Sequence, residues 1–274
     1  MGKFDGILIC TDLDGTLLRN DKTISKENRE AIEYFKGEGG YFTFITGRMY
    51  FTARSLYEMV KPNAPIGCIN GGGIYDYEKE KYLWNITLPE GARELVGAVY
   101  DAVPSAGIQM NGLDLIYFCR DNDAMKNFRR RTGSPFIEGD YRTLDVPVGK
   151  VVFGDEVDNI PKIAEVLHNH PRSEEFDFIR SERTLYEILP KGSSKGNLLP
   201  KLAEFLGVDM SKTVAIGDYN NDISMIRAAG IGIAVANATE EAKAAADHIT
   251  VSNEEHAIAK IISDIESGEL RFNC

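Results

Sequence analysis

Short apolar runs alternate with longer stretches whose apolar positions recur at helical spacing, which predicts strands and helices in turn. The first run, Ile7 to Leu18 (ILICTDLDGTLL), stops at two carboxylates one residue apart, so a strand is expected to carry Asp12 and Asp14 at its end. Ser25 then caps a helix with Ala31, Ile32 and Phe35 on one face, closed by Gly39-Gly40. A second strand, Tyr41 to Ile45, runs into Thr46-Gly47-Arg48; a helix from Tyr50 to Val60 stops at Lys61-Pro62. Ile66 to Ile69 reads as a third strand before a tight turn, Asn70-Gly71-Gly72-Gly73. That turn is not a dinucleotide fingerprint, since its glycines are contiguous and Asp76 stands where the last one belongs.

Strand and helix in alternation imply a parallel sheet covered on both faces, with ligands at the carboxyl ends of its strands. From about Pro89 the pattern changes. Glu90 to Ala102 reads as a helix, Ile108 to Cys119 and Gly149 to Phe153 as strands separated by polar, Arg-rich connections, Asn159 to His168 as a helix, and Phe176 to Ile188 as two strands. The core resumes at Lys191 to Gly196, with a helix over Asn197 to Leu206 (Pro200 in its first turn) and a strand over Thr213 to Ile216. A helix at Ile223 to Ala229, short strands at Ile231 to Val235 and His248 to Val251, and a helix from Glu254 to Glu266 complete it. The expected fold class is α/β: a doubly wound, Rossmann-like core over 1–88 and 190–274, with an inserted α+β domain over 89–189.

Length and composition narrow the partners. The 274 residues, 43% hydrophobic and 27% charged, are those of a soluble globular protein, and no apolar run approaches the ~20 residues of a membrane span. The N-terminus shows no signal-peptide pattern, and Cys10, Cys68, Cys119 and Cys274 form no paired motif, so reduced thiols and a cytoplasmic location are expected. A net charge of −11 argues against nucleic acid or an anionic membrane as partner.

Asp-x-Asp-Gly by itself also fits a calcium loop or an ordinary turn, although the EF-hand spacing is absent, with Ser25 where that loop needs Glu. Three further polar clusters at strand ends or loops change the balance: Thr46-Gly47-Arg48, Lys195, and Gly217 to Asp222 (GDYNND). Together they suit phosphoryl transfer. Asp12 would attack phosphorus, and Asp14 would protonate the leaving oxygen and then activate water. Thr46, the Gly47 amide and Lys195 would bind phosphoryl oxygens, and Asp218 with Asp222 would complete a site for a hard cation such as Mg²⁺. Some other features read as bland. Lys195, Thr46, Asp218 and Asn221 taken singly would be a surface lysine, an N-cap and turn formers. His168-x-His170 lacks further ligands, Arg129-Arg130-Arg131 reads as a solvated surface, and Cys10 as a small core residue.

The motifs DLDGT, ITGR, the lysine of KGSSKG and GDYNNDISM occur in one order, and in that order the chain resembles the haloacid dehalogenase (HAD) superfamily phosphatases of the Cof-type subgroup, with the insert where that subgroup carries its C2B cap. The resemblance implies Asp12 as nucleophile, Asp14 as acid/base, Thr46 and Lys195 as phosphate binders and Asp218 as metal ligand. It also implies Mg²⁺ taking the main-chain oxygen of Asp14, and Asn221 contacting phosphate. Tyr219 departs from the pattern, standing where a smaller residue is common.

The expectation is a Mg²⁺-dependent phosphatase acting on a small phosphorylated metabolite, with sugar phosphates the favoured class, through an aspartyl-phosphate. A cap would close over the core and choose the leaving group, with Ser181, Arg183 and Tyr186 as specificity candidates from their place in a cap strand pair. Rival expectations are a hexose phosphomutase and a non-catalytic sugar-phosphate sensor, the latter disfavoured because none of Asp12, Asp14, Lys195 or Asp218 is lost.

Overall fold

The computed structural model describes residues 2–133 and 135–272. The chain divides into two compact units, one of 1–47, 53–84 and 194–274, the other of 48–52 and 85–193. Along the first part of the chain come β1 (Leu8–Thr11), α1 (Lys26–Gly37), β2 (Tyr41–Phe44), α2 (Tyr50–Val60), β3 (Ile66–Cys68), β4 (Gly73–Asp76) and β5 (Lys81–Asn85). Next come α3 (Ala92–Ala102), β6 (Gly107–Gly112), β7 (Ile116–Arg120), α4 (Asp123–Thr132), β8 (Phe136–Glu138), β9 (Val148–Gly154), α5 (Ile160–His168), β10 (Phe176–Glu182) and β11 (Leu185–Pro190). The chain ends with α6 (Lys195–Leu206), β12 (Thr213–Gly217), α7 (Ile223–Ala228), β13 (Ile231–Ala234), α8 (Glu240–Ala245), β14 (His248–Ile249) and α9 (Ala257–Ser267).

The first unit is built on a parallel sheet in the order β14-β13-β12-β1-β2. The chain leaves β1 to one side for β2 and returns on the other as β12, so β1 lies at the switch in strand order, where open sheets of this kind bind ligands. Leu8, Cys10 and Ala215 pack against Leu198, Leu199 and Leu202 of α6, and the alternate residues Ile9, Val214 and Ile216 are buried too, as a sheet covered on both faces requires. Cys10 is the small core residue expected, its thiol pushed up by burial. Cys10, Cys68 and Cys119 are all free thiols; Cys274 lies outside the described residues. Among the described residues no helix is long and apolar enough to cross a membrane.

Several expectations are corrected. Ile66 to Ile69 meets the parallel sheet through the Ile45–Gly67 parallel bridge rather than along a full strand. It opens a separate three-stranded sheet, β3-β4-β5, whose last two strands were not foreseen. The glycine-rich turn is a short 3-10 helix over Ile69–Gly71. Helix α6 begins at Lys195, not Asn197: the Ser194 side chain caps it by accepting from the Asn197 amide, so Pro200 falls in its second turn. The short helix α8, capped by Thr239, was also missed.

In the second unit the sheet order is β10-β11-β9-β6-β7-β8, antiparallel except for β7 with β8. One face carries Ile108, Met110, Val151, Phe153, Tyr186 and Ile188 against α3 and α5. The Arg-rich connection is α4, capped by Asn122, and Arg129 is not solvated there. Its guanidinium pairs with Asp121 at 2.6 Å and lies 4.0 Å and 4.6 Å from the ring centres of Phe118 and Phe136. The Arg131 side chain lies outside the described residues.

Candidate active site

Four segments of the first unit bring their polar ends together. Asp12 follows β1 and is held by its amide to the Ile216 carbonyl of β12 at 2.9 Å. The chain then turns at Gly15, whose φ of +87° suits only glycine, and a Cβ there would stand 2.5 Å from Asp218 Oδ2. That residue's small size admits the Asp218 carboxylate. Gly15 O in turn accepts from Asn237 Nδ2 at 2.8 Å, a support that no motif pointed to.

Lys195, at the first position of α6, is fully buried, and its Nζ reaches Asp12 Oδ1 at 2.6 Å and Asp222 Oδ1 at 2.5 Å. Asp222 Oδ2 accepts from the amides of Asp218 and Tyr219 at 2.9 Å and 3.0 Å, so this carboxylate folds the loop after β12 and aims Lys195. Asp218 Oδ1 accepts from Thr16 Oγ1 at 2.8 Å. Oxygens of Asp12, Asp218 and Asp222 all lie within 4.8 Å of one another. The Asp14 side chain is not in this group; half-exposed, it pairs with Lys22 at 2.9 Å, an interaction that sequence spacing did not reveal.

Three carboxylates against one ammonium leave a surplus of negative charge in a buried volume. Burial pushes the Asp12 carboxyl up to about 7, with Lys195 opposing and Asp222 and Asp14 adding to the rise. Burial, then the charges of Asp222 and Asp12, push Asp218 up to about 8. Burial works against the Lys195 charge, but Asp12 and Asp222 outweigh it and hold the ammonium well above its usual range. Oxygen donors with excess negative charge, and a glycine that keeps the approach open, fit a hard divalent cation. Asp12 and Asp218 suit ligation, while Asp222 has both oxygens engaged by Lys195 and the loop amides.

Thr46, buried at the end of β2, donates its amide to Gly67 O and accepts from the Asn70 amide at 3.1 Å. Gly47 abuts Asn70, and Asn221 Nδ2 donates to Asn70 Oδ1 at 3.1 Å. The specificity candidates do not share a surface. Ser181 donates to Glu187 Oε1 at 2.5 Å, and Glu187 pairs with buried Lys150 at 2.8 Å. Arg183 is exposed at the β10–β11 turn. Tyr186 lies in the apolar core on the opposite face, its hydroxyl 2.9 Å from His168 Nε2, because strand alternation separates it from Glu187. His168 is itself exposed, with Nε2 engaged by the Tyr186 hydroxyl. His170 Nδ1 accepts from the Arg172 amide.

A doubly wound core that gathers acids and a buried lysine at the carboxyl ends of β1 and β12 defines a hydrolase of the phosphoryl-transfer kind. The chain belongs to the haloacid dehalogenase-like hydrolase family, whose sequence profile matches residues 9–262. Within it the chain is a Cof-type phosphatase, a phosphoric monoester hydrolase. It is similar to the 5-amino-6-(5-phospho-D-ribitylamino)uracil phosphatase YcsE of Bacillus subtilis (strain 168), at 32% identity over 93% of this chain and 94% of that one. It is also similar to the pyridoxal phosphate phosphatase YbhA of Escherichia coli (strain K12), at 28% identity over 93% and 97%. A solved haloacid dehalogenase-like hydrolase from Bacteroides thetaiotaomicron shares the fold with a TM-score of 0.82, at 28% identity over 94% of this chain and 99% of that one.

Proposed function

We propose that the chain hydrolyses the phosphate monoester of a small cytoplasmic metabolite through an aspartyl-phosphate on Asp12, with Mg²⁺ held by Asp12, Asp218 and the main-chain oxygen of Asp14. The observation that carries this reading is Lys195, which bridges Asp12 and Asp222 beside Asp218. Bound Mg²⁺ would supply positive charge against the phosphoryl oxygens. With Asp12 Oδ1 on Lys195, the second oxygen attacks phosphorus and the bond to the leaving oxygen breaks. Asp14 gives its proton to that oxygen. It then takes one from water, which attacks the same phosphorus and breaks its bond to Asp12, releasing inorganic phosphate. Thr46, the Gly47 amide, Asn221 and Lys195 hold the phosphoryl oxygens throughout. Lys22 keeps the Asp14 carboxylate in place between the two proton transfers.

For the substrate we favour a sugar or polyol phosphate. One relative acts on a phosphoribityl compound and another on pyridoxal phosphate, so both ester types belong in the trial. Half-buried Ser181 and exposed Arg183 are the specificity candidates, whereas Tyr186 is buried in the apolar core of its unit and contacts no substrate.

The test is hydrolysis of p-nitrophenyl phosphate and a phosphometabolite panel, with and without Mg²⁺, scoring both free phosphate and isomerised ester. Metal-dependent phosphate release is expected, with Asp12→Ala slower by about 10³-fold or more. Asp12→Ala matching the wild type would sink the reading, and an isomerised ester in place of phosphate would make the protein a mutase.

A further inference from the structure

The glycine-rich turn that the mechanism leaves unused is the most strained part of the first unit. Ile69 and Asn70 are consecutive non-glycine residues in the left-handed region, at φ 59° and 51°. For a β-branched residue such as Ile69 this is an outlier, and such backbone persists only where its surroundings hold it. Here Ile69 is fully buried, and the Asn70 amide is tied to Thr46 O at 3.1 Å.

What the strain achieves is the placement of one side chain. Asn70 is 1% exposed, and its carboxamide lies between two candidate phosphate-binding segments. Its Oδ1 accepts from Asn221 Nδ2 at 3.1 Å, and a Cβ on Gly47 would come within 2.8 Å of that same oxygen. The next residue, Gly71, is pressed against Ser194, the cap of the helix that begins with Lys195; a Cβ there would stand 2.1 Å from Ser194 O. One turn therefore touches the loop of Thr46 and Gly47, the loop of Asn221 and the start of the Lys195 helix.

We propose that Asn70 is a positioning residue for phosphate binding, fixing the Asn221 amide and the Gly47 backbone in the orientation that receives phosphoryl oxygens. This rests on the phosphatase reading above. By accepting from Nδ2, Asn70 Oδ1 fixes which edge of the Asn221 carboxamide faces it and so where the rest of that group points. Buried and packed on Gly47, it also holds the 46–47 backbone.

Asn70→Gly is the clean variant, because glycine takes φ near 51° without strain and only the carboxamide is lost. The expected result is a cooperative fold with a melting temperature lower by a few degrees, kcat/KM on p-nitrophenyl phosphate lower by about 10- to 100-fold, and weaker binding of inorganic phosphate by a similar factor in calorimetry with Mg²⁺. Mg²⁺ affinity without phosphate should stay within about twofold, since the groups Asn70 positions, Asn221 and Gly47, lie outside the acid cluster. Asn70→Gly combined with Asn221→Ala should cost less than the product of the two single effects, whereas a general loosening of the fold would give independent effects. Wild-type kcat/KM and phosphate affinity in Asn70→Gly, or full multiplicativity with Asn221→Ala, would overturn the proposal. If the wild type hydrolyses no ester, the phosphatase reading falls and the phosphate titration alone decides for Asn70; if it binds no phosphate either, both fall.

Discussion

At the scale of single residues, stability and chemistry separate cleanly between Asp14 and Lys195. Asp14 is half-exposed and its partner Lys22 is on the surface, so the ion pair is worth about 0–1 kcal/mol. Asp14→Asn should therefore leave the melting temperature nearly unchanged, and if Asp14 is the acid/base proposed above kcat falls by about 10²-fold or more, because the amide can neither give nor take the proton. Mg²⁺ affinity should be largely kept if the Asp14 ligand is its main-chain oxygen, and a large loss in a metal titration would contradict that assignment. Lys195 is the opposite case. Its ammonium is the counter-ion of two buried carboxylates, and Lys195→Met strands both, at a cost of about 3–5 kcal/mol in urea denaturation of the metal-free protein. If Lys195→Met unfolds at the wild-type urea concentration, the pairing is not what holds these acids. The motifs made the gathering of Asp12, Lys195 and Asp218 legible because each stands at a strand end or helix start with a spacing that few other chemistries need. Asn70 and Asn237 were not legible, since their contacts with Asn221 and Gly15 are distant in sequence, and the Lys22 contact with Asp14, eight residues away, crosses a turn that follows no helix or strand period.

At the scale of elements, the buried strands and strongly amphipathic helices were readable, and the misses share a cause. Helix α4 buries Met125 and replaces an apolar stripe with an arginine stacked between two rings, so hydrophobic periodicity passes over it. Strands β4 and β5 follow a 3-10 turn whose left-handed residues are Ile and Asn, where the glycine run pointed to a simple reversal. The glycines themselves differ in kind, which gives a test. Gly207 ends α6 at φ +67° with open space where a Cβ would stand, so Gly207→Ala should cost only the left-handed penalty, about 1 kcal/mol. Gly71 combines φ +97° with the Ser194 carbonyl, so Gly71→Ala must also move backbone and should cost clearly more. Equal losses in the two variants, by urea melts, would mean that the 69–71 turn yields freely and that its strain carries no positional role.

At the scale of the whole molecule, the acid cluster links folding, metal and pH, and the sign can be worked out. The Asp12 and Asp218 carboxyls rise from an ordinary 3.8 to about 7 and about 8 in the metal-free fold, chiefly through burial. Between about pH 4 and 8 the folded chain therefore holds protons that the unfolded chain has released, and the stability contributed by these groups is full below the lower limit and lost as pH rises through the upper one. Mg²⁺ held as proposed would compete with the same protons, so its binding would release them and its affinity would grow across that window. Because a ligand of the folded state stabilises by RT ln(1 + [L]/Kd), millimolar Mg²⁺ should raise the melting temperature more at about pH 8.5 than at about pH 6. The metal-free protein should itself melt lower at the higher pH. Asp218→Asn removes one of the two titrating groups and one ligand together, so it should flatten both trends. EDTA should abolish turnover while leaving the far-ultraviolet circular dichroism intact, since a core of this size does not depend on one ion. A Mg²⁺ shift equal at the two pH values would place the cation away from Asp12 and Asp218. Loss of helical signal on chelation would make it a structural ion rather than a catalytic one.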